Sequence, residues 1–445
     1  MFRILYWFYR FFSWLRHRTL RRVSRAGLAV GAGFLIISTV GLDTENTVAY
    51  QAIPLLLFLL MASFPFFFFF RGRFSAERLL PRYGTAGVPF SYRVLVRNLT
   101  SKTQSSLVLF EDLVGARPGY RDWAAFQRAA GRWQDSFRLT QTRRLAPFKM
   151  PRMNESPLPP VPPRQEAEAR VEFTPLRRGL LRFSGVVLAR PDPLGLTRAF
   201  ANVPLPQTVL ILPKRYPLPP IALPGRTKYQ HGGVTFAADV GQSEEFVSLR
   251  DYRRGDPLRH IHWRSWAKVG KPIVKEFEDE FFVRHALVLD TFIADSQSEI
   301  FEEAVSVAAS FACAVLNQES LLDLLFVGPH AFCFTAGRGL AYTDQMLEIL
   351  ASVRASGEAS FNILETLVLQ QAAILSGCIC VFLDWNKQRQ ELVKKLKALG
   401  VPVLVVVIAP ANTSEAMDPG PLADEPHRFH VLKLGKIQES LARLS

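Results

Sequence analysis

Acidic residues are missing from the first 25 positions of this 445-residue chain, where seven Arg stand at 3, 10, 16, 18, 21, 22 and 25. Setting that cluster aside reduces the formal net charge of +15 to +8 over the remaining residues, so the basicity is largely local. A basic lead before an apolar run is more simply a topology signal than a nucleic-acid arm, and nucleic acid is not an expected partner. Phosphate-cradling loops are missing too: the chain has neither a GxxxxGK[ST] loop nor a GxGxxG turn. No GxSxG elbow, HExxH helix or Cys–His arrangement supports hydrolysis. Cysteine is scarce. Its four copies, Cys313, Cys333, Cys378 and Cys380, lie in apolar runs of the C-terminal third, as buried reduced thiols would. Cys378 and Cys380 are expected on opposite faces of one strand, and their spacing is not that of a metal knuckle. No cofactor and no metal site is expected.

Charge is also absent from two long runs, 26–42 (17 residues) and 49–70 (22 residues). The loop between them has two acids and no Lys or Arg, while Arg71, Arg73 and Arg78 follow the second run. This pattern predicts a two-helix transmembrane hairpin with spans at about 26–42 and 49–70 and both chain ends cytoplasmic. Residues 2–15 are aromatic-rich and suit the membrane interface, which makes 1–74 the membrane domain. The long basic lead and the second apolar run argue against a cleaved signal peptide.

From 75 to 215 short alternating runs separated by turn residues predict an antiparallel β-sandwich-like domain, with Tyr92, Val94 and Val96 on one face of an early strand. An inserted loop, 114–165, interrupts it, and its proline-rich end reads as solvated. Residues 216–284 form a separate motif region. Its core, 248–275, holds eight Lys or Arg against Asp251 and Asp256, and an acidic run from Glu276 follows. Gly255, Asp256 and Pro257 read as a tight turn, with Arg253, Arg254 and Arg259 placed to fork onto carboxylates. Trp263 and Trp266, three apart, suit one face of a short helix. His260 and His262 lack a third ligand nearby in sequence. This stretch admits three readings: an internal ion-pair network, a docking surface for an acidic protein, or a phosphate or catalytic site.

The stretch resembles the signature of the bacterial domain of unknown function 58 family. The matching residues are Arg250 and Tyr252, Gly255 and Asp256, Arg259, Ile261 with Trp263, Ala267, and Lys275 with Glu276. Upstream, RRG (177–179), DPLGL (192–196) and VLILPK (209–214) are similar to the family's approach to that signature. The resemblance covers roughly 50–410. It makes Arg250, Tyr252, Arg253, Gly255, Asp256, Arg259, His262, Trp263, Lys275 and Glu276 the candidate motif and partner-docking residues.

After the motif, apolar strands alternate with helical patterns over 285–445, for example 285–291, 298–319 and 378–385. Such alternation predicts a doubly wound, mostly parallel sheet. Asp290 and Asp384 end strands, where ligands sit in open α/β sheets. The arrangement looks like a von Willebrand factor A-type domain, as the family resemblance also implies. The metal site of that fold uses Asp-x-Ser-x-Ser; the corresponding positions here are Asp290, Phe292 and Ala294, so two oxygen ligands are missing.

The expected whole is therefore multi-domain: membrane hairpin, sandwich-like domain, motif region and von Willebrand factor A-like domain. The expected function is non-enzymatic: an interaction or adaptor protein of the bacterial inner membrane. By the resemblance, its partner would be a MoxR-type AAA+ ATPase or a client protein. The alternatives are a structural membrane component and, with less support, a hydrolase using the Arg/Asp/His motif.

Overall fold

A computed structural model describes residues 3, 5–10, 22–40, 47–63, 65–66, 70, 72–113, 120, 155–219, 246–256, 258–277, 283–293, 298–316, 320–337, 340–357, 360–411, 413 and 417–444. The chain forms two compact units, Met1–Lys214 and Arg215–Ser445.

After a helical stretch at 5–10, the N-terminal unit has two helices, α1 (Arg25–Val40) and α2 (Thr47–Ser63), formed largely from the two uncharged runs. Leu35, Ile36, Phe58 and Met61 lie exposed on them. The helices are 16 and 17 residues long. At about 1.5 Å per residue neither reaches the roughly 30 Å of a bilayer's hydrocarbon core. Among the described residues, no helix is long and apolar enough to cross a membrane. This overturns the expected transmembrane hairpin, and with it the multi-pass inner-membrane location. The described helices begin one or two residues before the uncharged runs and end at Val40 and Ser63, so an uncharged run does not by itself set the length of a helix. Residues 41–46, in the loop between them, lie outside the described residues, as do most of 2–15 and nearly all of 114–154.

Two sheets follow. One has the order β1 (Phe74–Leu79), β3 (Phe90–Asn98), β6 (Glu166–Phe173), all antiparallel. The other runs β2 (Tyr83–Thr85), β8 (Arg198–Leu212), β7 (Gly179–Pro191), β4 (Leu107–Leu113), β5 (Ser156–Leu158). Strand side chains alternate with a period of two. In β3 this turns Tyr92, Val94 and Val96 inward, and in β4 it does the same for Leu107, Leu109 and Leu113. Both sheets contribute to one core that includes Val171, Phe173, Phe183 and Leu188.

The 192–196 turn fastens the helices to this body. Ser24 N–H donates to Leu196 O at 2.9 Å, and Ser63 Oγ donates to Asp192 Oδ2 at 2.5 Å. Asp192 Oδ1 also accepts from Thr197 N at 3.0 Å, so one carboxylate orders its own turn and holds the end of α2. Gly27 permits the approach: a Cβ there would stand 2.1 Å from Leu196 O.

The C-terminal unit holds a two-stranded sheet, β9 (Phe246–Asp251) with β10 (Ile273–Phe277), and a six-stranded one. The larger sheet has the order β13 (Ala331–Ala336), β12 (Leu321–Val327), β11 (Arg284–Leu289), β14 (Gly377–Phe382), β15 (Val403–Ala409), β16 (Phe429–Lys433). Its pairings are parallel except for β12 with β13. The central strands are buried on both faces, which explains their continuous apolar sequence. One face packs with Phe361, Leu364 and Val368 of α6 (Phe361–Gln371) and Leu392, Val393 and Leu396 of α7 (Lys387–Ala398). Between β9 and the large sheet lies the short α3 (Trp263–Val269); α4 (Glu299–Leu316) and α5 (Leu340–Ser352) complete the helices preceding α6.

The expected plan of transmembrane hairpin, sandwich-like domain and von Willebrand factor A-like domain is thus corrected to a mixed α/β chain with several β-sheets. Two cysteine expectations also change. Residues two apart on a strand share a face, and the Cys378 and Cys380 sulfurs lie 3.6 Å apart. Cys333, on the edge strand β13, is exposed rather than buried.

Candidate functional site

The motif folds as an antiparallel pair, β9 and β10, carrying the 252–272 segment between its strands. Arg250 stands opposite Val274 and Asp251 opposite Ile273, and Tyr252 N–H extends the pairing to Pro272 O at 3.0 Å. The intervening chain makes one 3₁₀ turn, Leu258–His260, then α3. It is stitched back by His262 N–H to Ile273 O at 2.8 Å and by the contact of Ile261 with Val274, both buried. Gly270 ends α3 at φ +71°, donating to Trp266 O, a left-handed cap that glycine adopts without strain.

One ion pair braces the turn. Arg250 Nη1 and Nη2 donate to the two Asp256 carboxylate oxygens at 2.7 and 2.9 Å, a planar fork. Arg253 N–H donates to the same carboxylate at 2.8 Å, and Asp256 N–H returns to Arg253 O at 3.0 Å. The Arg250 hydrogen bonds, with help from the Arg253 N–H, draw the Asp256 carboxyl down to about 2. Gly255 sits at φ +114°, inside the region that side chains avoid. The turn forms as the Gly255–Asp256 spacing predicts, but a different arginine holds it: Arg250, not Arg253, Arg254 or Arg259, takes the carboxylate. Pro257 lies outside the described residues.

The rest of the motif faces outward. Arg253, Arg254, Leu258, Arg259, Trp263, Arg264, Lys268 and Val269 are exposed. Trp263 and Trp266 stack with centroids 5.2 Å apart and planes 18° apart, the one-face placement expected from their spacing. Trp263 remains 65% exposed despite that stack. Arg259 Nε points to His260 Nε2 at 3.3 Å, and His262 Nδ1 shares a hydrogen with Ser265 Oγ at 2.6 Å. Lys275 is half-buried opposite Leu249, and Glu276 pairs along the backbone with Ser248. Among the described residues no cluster of three His, Cys, Asp or Glu side chains is placed to hold a metal.

Sequence reasoning missed two buried ion pairs elsewhere. In the N-terminal unit Arg78 forks onto Glu111 through Nε (3.0 Å) and Nη2. Its remaining donors reach Leu205 O, Gln207 Oε1 and Gly185 O, each at 3.2 Å. In the C-terminal unit Asp290, at the end of β11, is wholly buried and paired with Arg389 of α7. Asp384 is exposed and accepts the Trp385 N–H at 2.8 Å. The strand-end metal position implied by the resemblance does not suit a metal: a guanidinium faces Asp290, and Phe292 stands where a hydroxyl is needed. Ala294 lies outside the described residues.

The hairpin, its turn and the first five strands of the large sheet in chain order coincide with a known family. Residues 248–417 match the family described as "Protein of unknown function DUF58". The DUF58 match begins within β9 and leaves the N-terminal unit outside it. A curated relative, "Uncharacterized protein YeaD" of Bacillus subtilis (strain 168), is 28% identical over 184 residues, which is 40% of this chain and 44% of that protein. The chain therefore matches less than half the length of this relative. Among solved structures, the CARDB domain of the PF1109 protein from Pyrococcus furiosus is 12% identical, with 30% of this chain and 92% of that one covered. The GH20 exo β-N-acetylglucosaminidase of Vibrio harveyi is 10% identical, with 77% and 57% covered. Their TM-scores, 0.16 and 0.14, are too low to bear on fold or function.

Proposed function

We propose that this chain is a non-enzymatic docking protein that binds an acidic protein partner through the outer face of the DUF58 motif. One observation carries the reading. The motif's ion pair, Arg250 with Asp256, is spent on bracing its own turn, while the adjoining face keeps Trp263, Leu258 and several cations exposed. Exposed Trp and Arg side chains together are the composition of binding hot spots, and the cations select an acidic surface. A MoxR-type AAA+ ATPase is the partner class that the family resemblance suggests.

A hydrolase reading has one feature in its favour, the Ser265 hydroxyl on His262, but no carboxylate orients His262 among the described residues. The test is titration of a purified MoxR-type ATPase against the intact chain, Trp263→Ala, and Arg264→Glu/Lys268→Glu. Trp263→Ala is expected to weaken binding about thirtyfold, equivalent to about 2 kcal/mol, and the charge reversals more strongly at low salt than at high. Unchanged affinity in correctly folded variants refutes this face as the docking surface. No binding by the intact chain refutes this partner class.

A further inference from the structure

The carboxylate at the end of β11 lies in a place built for a cation. Asp290 is 0% exposed, and its carboxylate accepts four hydrogen bonds among the described residues. Phe292 N–H reaches Oδ1 at 3.0 Å and Leu383 N–H reaches Oδ2 at 3.2 Å. Arg389 adds Nε to Oδ2 at 3.1 Å and Nη2 to Oδ1 at 3.3 Å. On its other side the guanidinium lies over the Phe361 ring, 4.5 Å from the centroid. A planar cation is thus boxed between a carboxylate and an aromatic face, both selective for guanidinium over a compact ion. Burial pushes the Asp290 carboxyl up and Arg389 with the two backbone N–H groups pulls it back, so the cation offsets a real desolvation cost.

We infer that this strand-end site is a guanidinium-binding site whose ligand is the chain's own Arg389. The side chain comes from the first turn of α7, on the same stripe as buried Leu392, Val393 and Leu396, so packing of that helix delivers the cation. A divalent ion has no comparable environment here, because it needs six or more oxygens and meets Phe361 and Phe292 instead. This strand-end site therefore carries its cation permanently and is filled without a metal.

The experiment measures thermal unfolding of the full chain labelled with fluorotryptophan, following the C-terminal unit by the fluorine NMR resonance of Trp385, assigned with Trp385→Phe. Arg389→Ala is expected to lower Tm by on the order of 10 °C. Millimolar methylguanidinium is expected to restore part of that loss in Arg389→Ala, and to do nothing for the wild type or for Asp290→Asn/Arg389→Ala. Magnesium, calcium and EDTA are expected to leave all three unchanged. Rescue by a divalent ion, a wild-type response to EDTA, or no rescue by methylguanidinium overturns the inference. Should Arg389→Ala fail to fold, Arg389→Lys tests the planar geometry: it keeps the charge but is expected to melt about 5 °C or more below the wild type. Wild-type stability in Arg389→Lys overturns the assignment.

Discussion

Arg78 with Glu111 in the N-terminal unit and Arg250 with Asp256 in the C-terminal unit are the same chemical object in opposite surroundings. Each is a two-pronged guanidinium–carboxylate fork. The Arg78 and Glu111 side chains are 0% and 1% exposed, whereas Arg250 is 34% exposed. Burial pushes the Glu111 carboxyl up despite the arginine beside it, while Asp256, partly covered at 16% exposed, is drawn down by its arginine to about 2. An identical partner thus leaves opposite signatures, because desolvation dominates in one place and hydrogen bonding in the other. The buried fork is a strut between the two sheets of its unit. The partly exposed one shapes a turn beside the exposed Arg253 and Arg254.

The sharpest way to break this comparison is to remove the buried arginine. Arg78 uses all its donor directions and also covers the Phe183 ring, with 4.3 Å to the centroid. Arg78→Ala strands Glu111 without its cation and is expected to cost about 3–5 kcal/mol in urea unfolding. Replacing both partners, Arg78→Met with Glu111→Leu, removes the desolvated charges together and is expected to recover most of that loss. If the double variant is as unstable as the single one, packing rather than charge pairing explains the site.

A second, smaller effect concerns the latch between α1 and the 192–196 turn. Gly27→Ala places a methyl group against a backbone carbonyl that has nowhere to turn, because Leu196 O already accepts from Ser24. The expected cost is about 1–3 kcal/mol, the range of overpacking. Hydrogen exchange at Ser24 reads it directly. Unaltered protection there shows that the latch is loose and that the helices are held by other contacts.

How much of this was legible in the sequence depends on which signal a residue gives. The strands of both units follow from alternation and from continuous apolar runs: the runs 89–100, 285–291 and 378–385 hold strands at Phe90–Asn98, Arg284–Leu289 and Gly377–Phe382, the last two starting a residue earlier. The turn at Gly255–Asp256 and the stacked tryptophans were legible for the same reason: local spacing dictates local geometry. The choice of Arg250 as the fork was not, since three nearer arginines compete and only the β9–β10 register decides. The buried pairs did leave traces. Arg78 and Glu111 both occupy inward positions of their strands, and Arg389 sits on the apolar stripe of α7. A charge at a core position asks for a partner, but its partner lies far along the chain and no spacing reveals it. Length misled most: the uncharged runs are 17 and 22 residues long, whereas the helices that overlap them have 16 and 17.

The mildest test separates the exposed fork from the fold altogether. Asp256 ordinarily titrates at 3.8 and is lowered to about 2, so whatever the fork contributes is fully present above 3.8 and is lost as the pH falls through about 2. Because the pair is only partly buried and braces its own turn, that loss is expected to stay local and to be weakened by salt. Carboxyl-carbon NMR of Asp256 is expected to show its midpoint near 2, with exchange at the Arg253 amide rising over the same range as its acceptor is protonated. Asp256→Ala, which removes the acceptor, should reproduce the faster Arg253 exchange at neutral pH while Tm stays unchanged. A drop in Tm in that variant would mean that the exposed fork behaves like the buried one, and that the motif braces the body of its unit rather than presenting a surface.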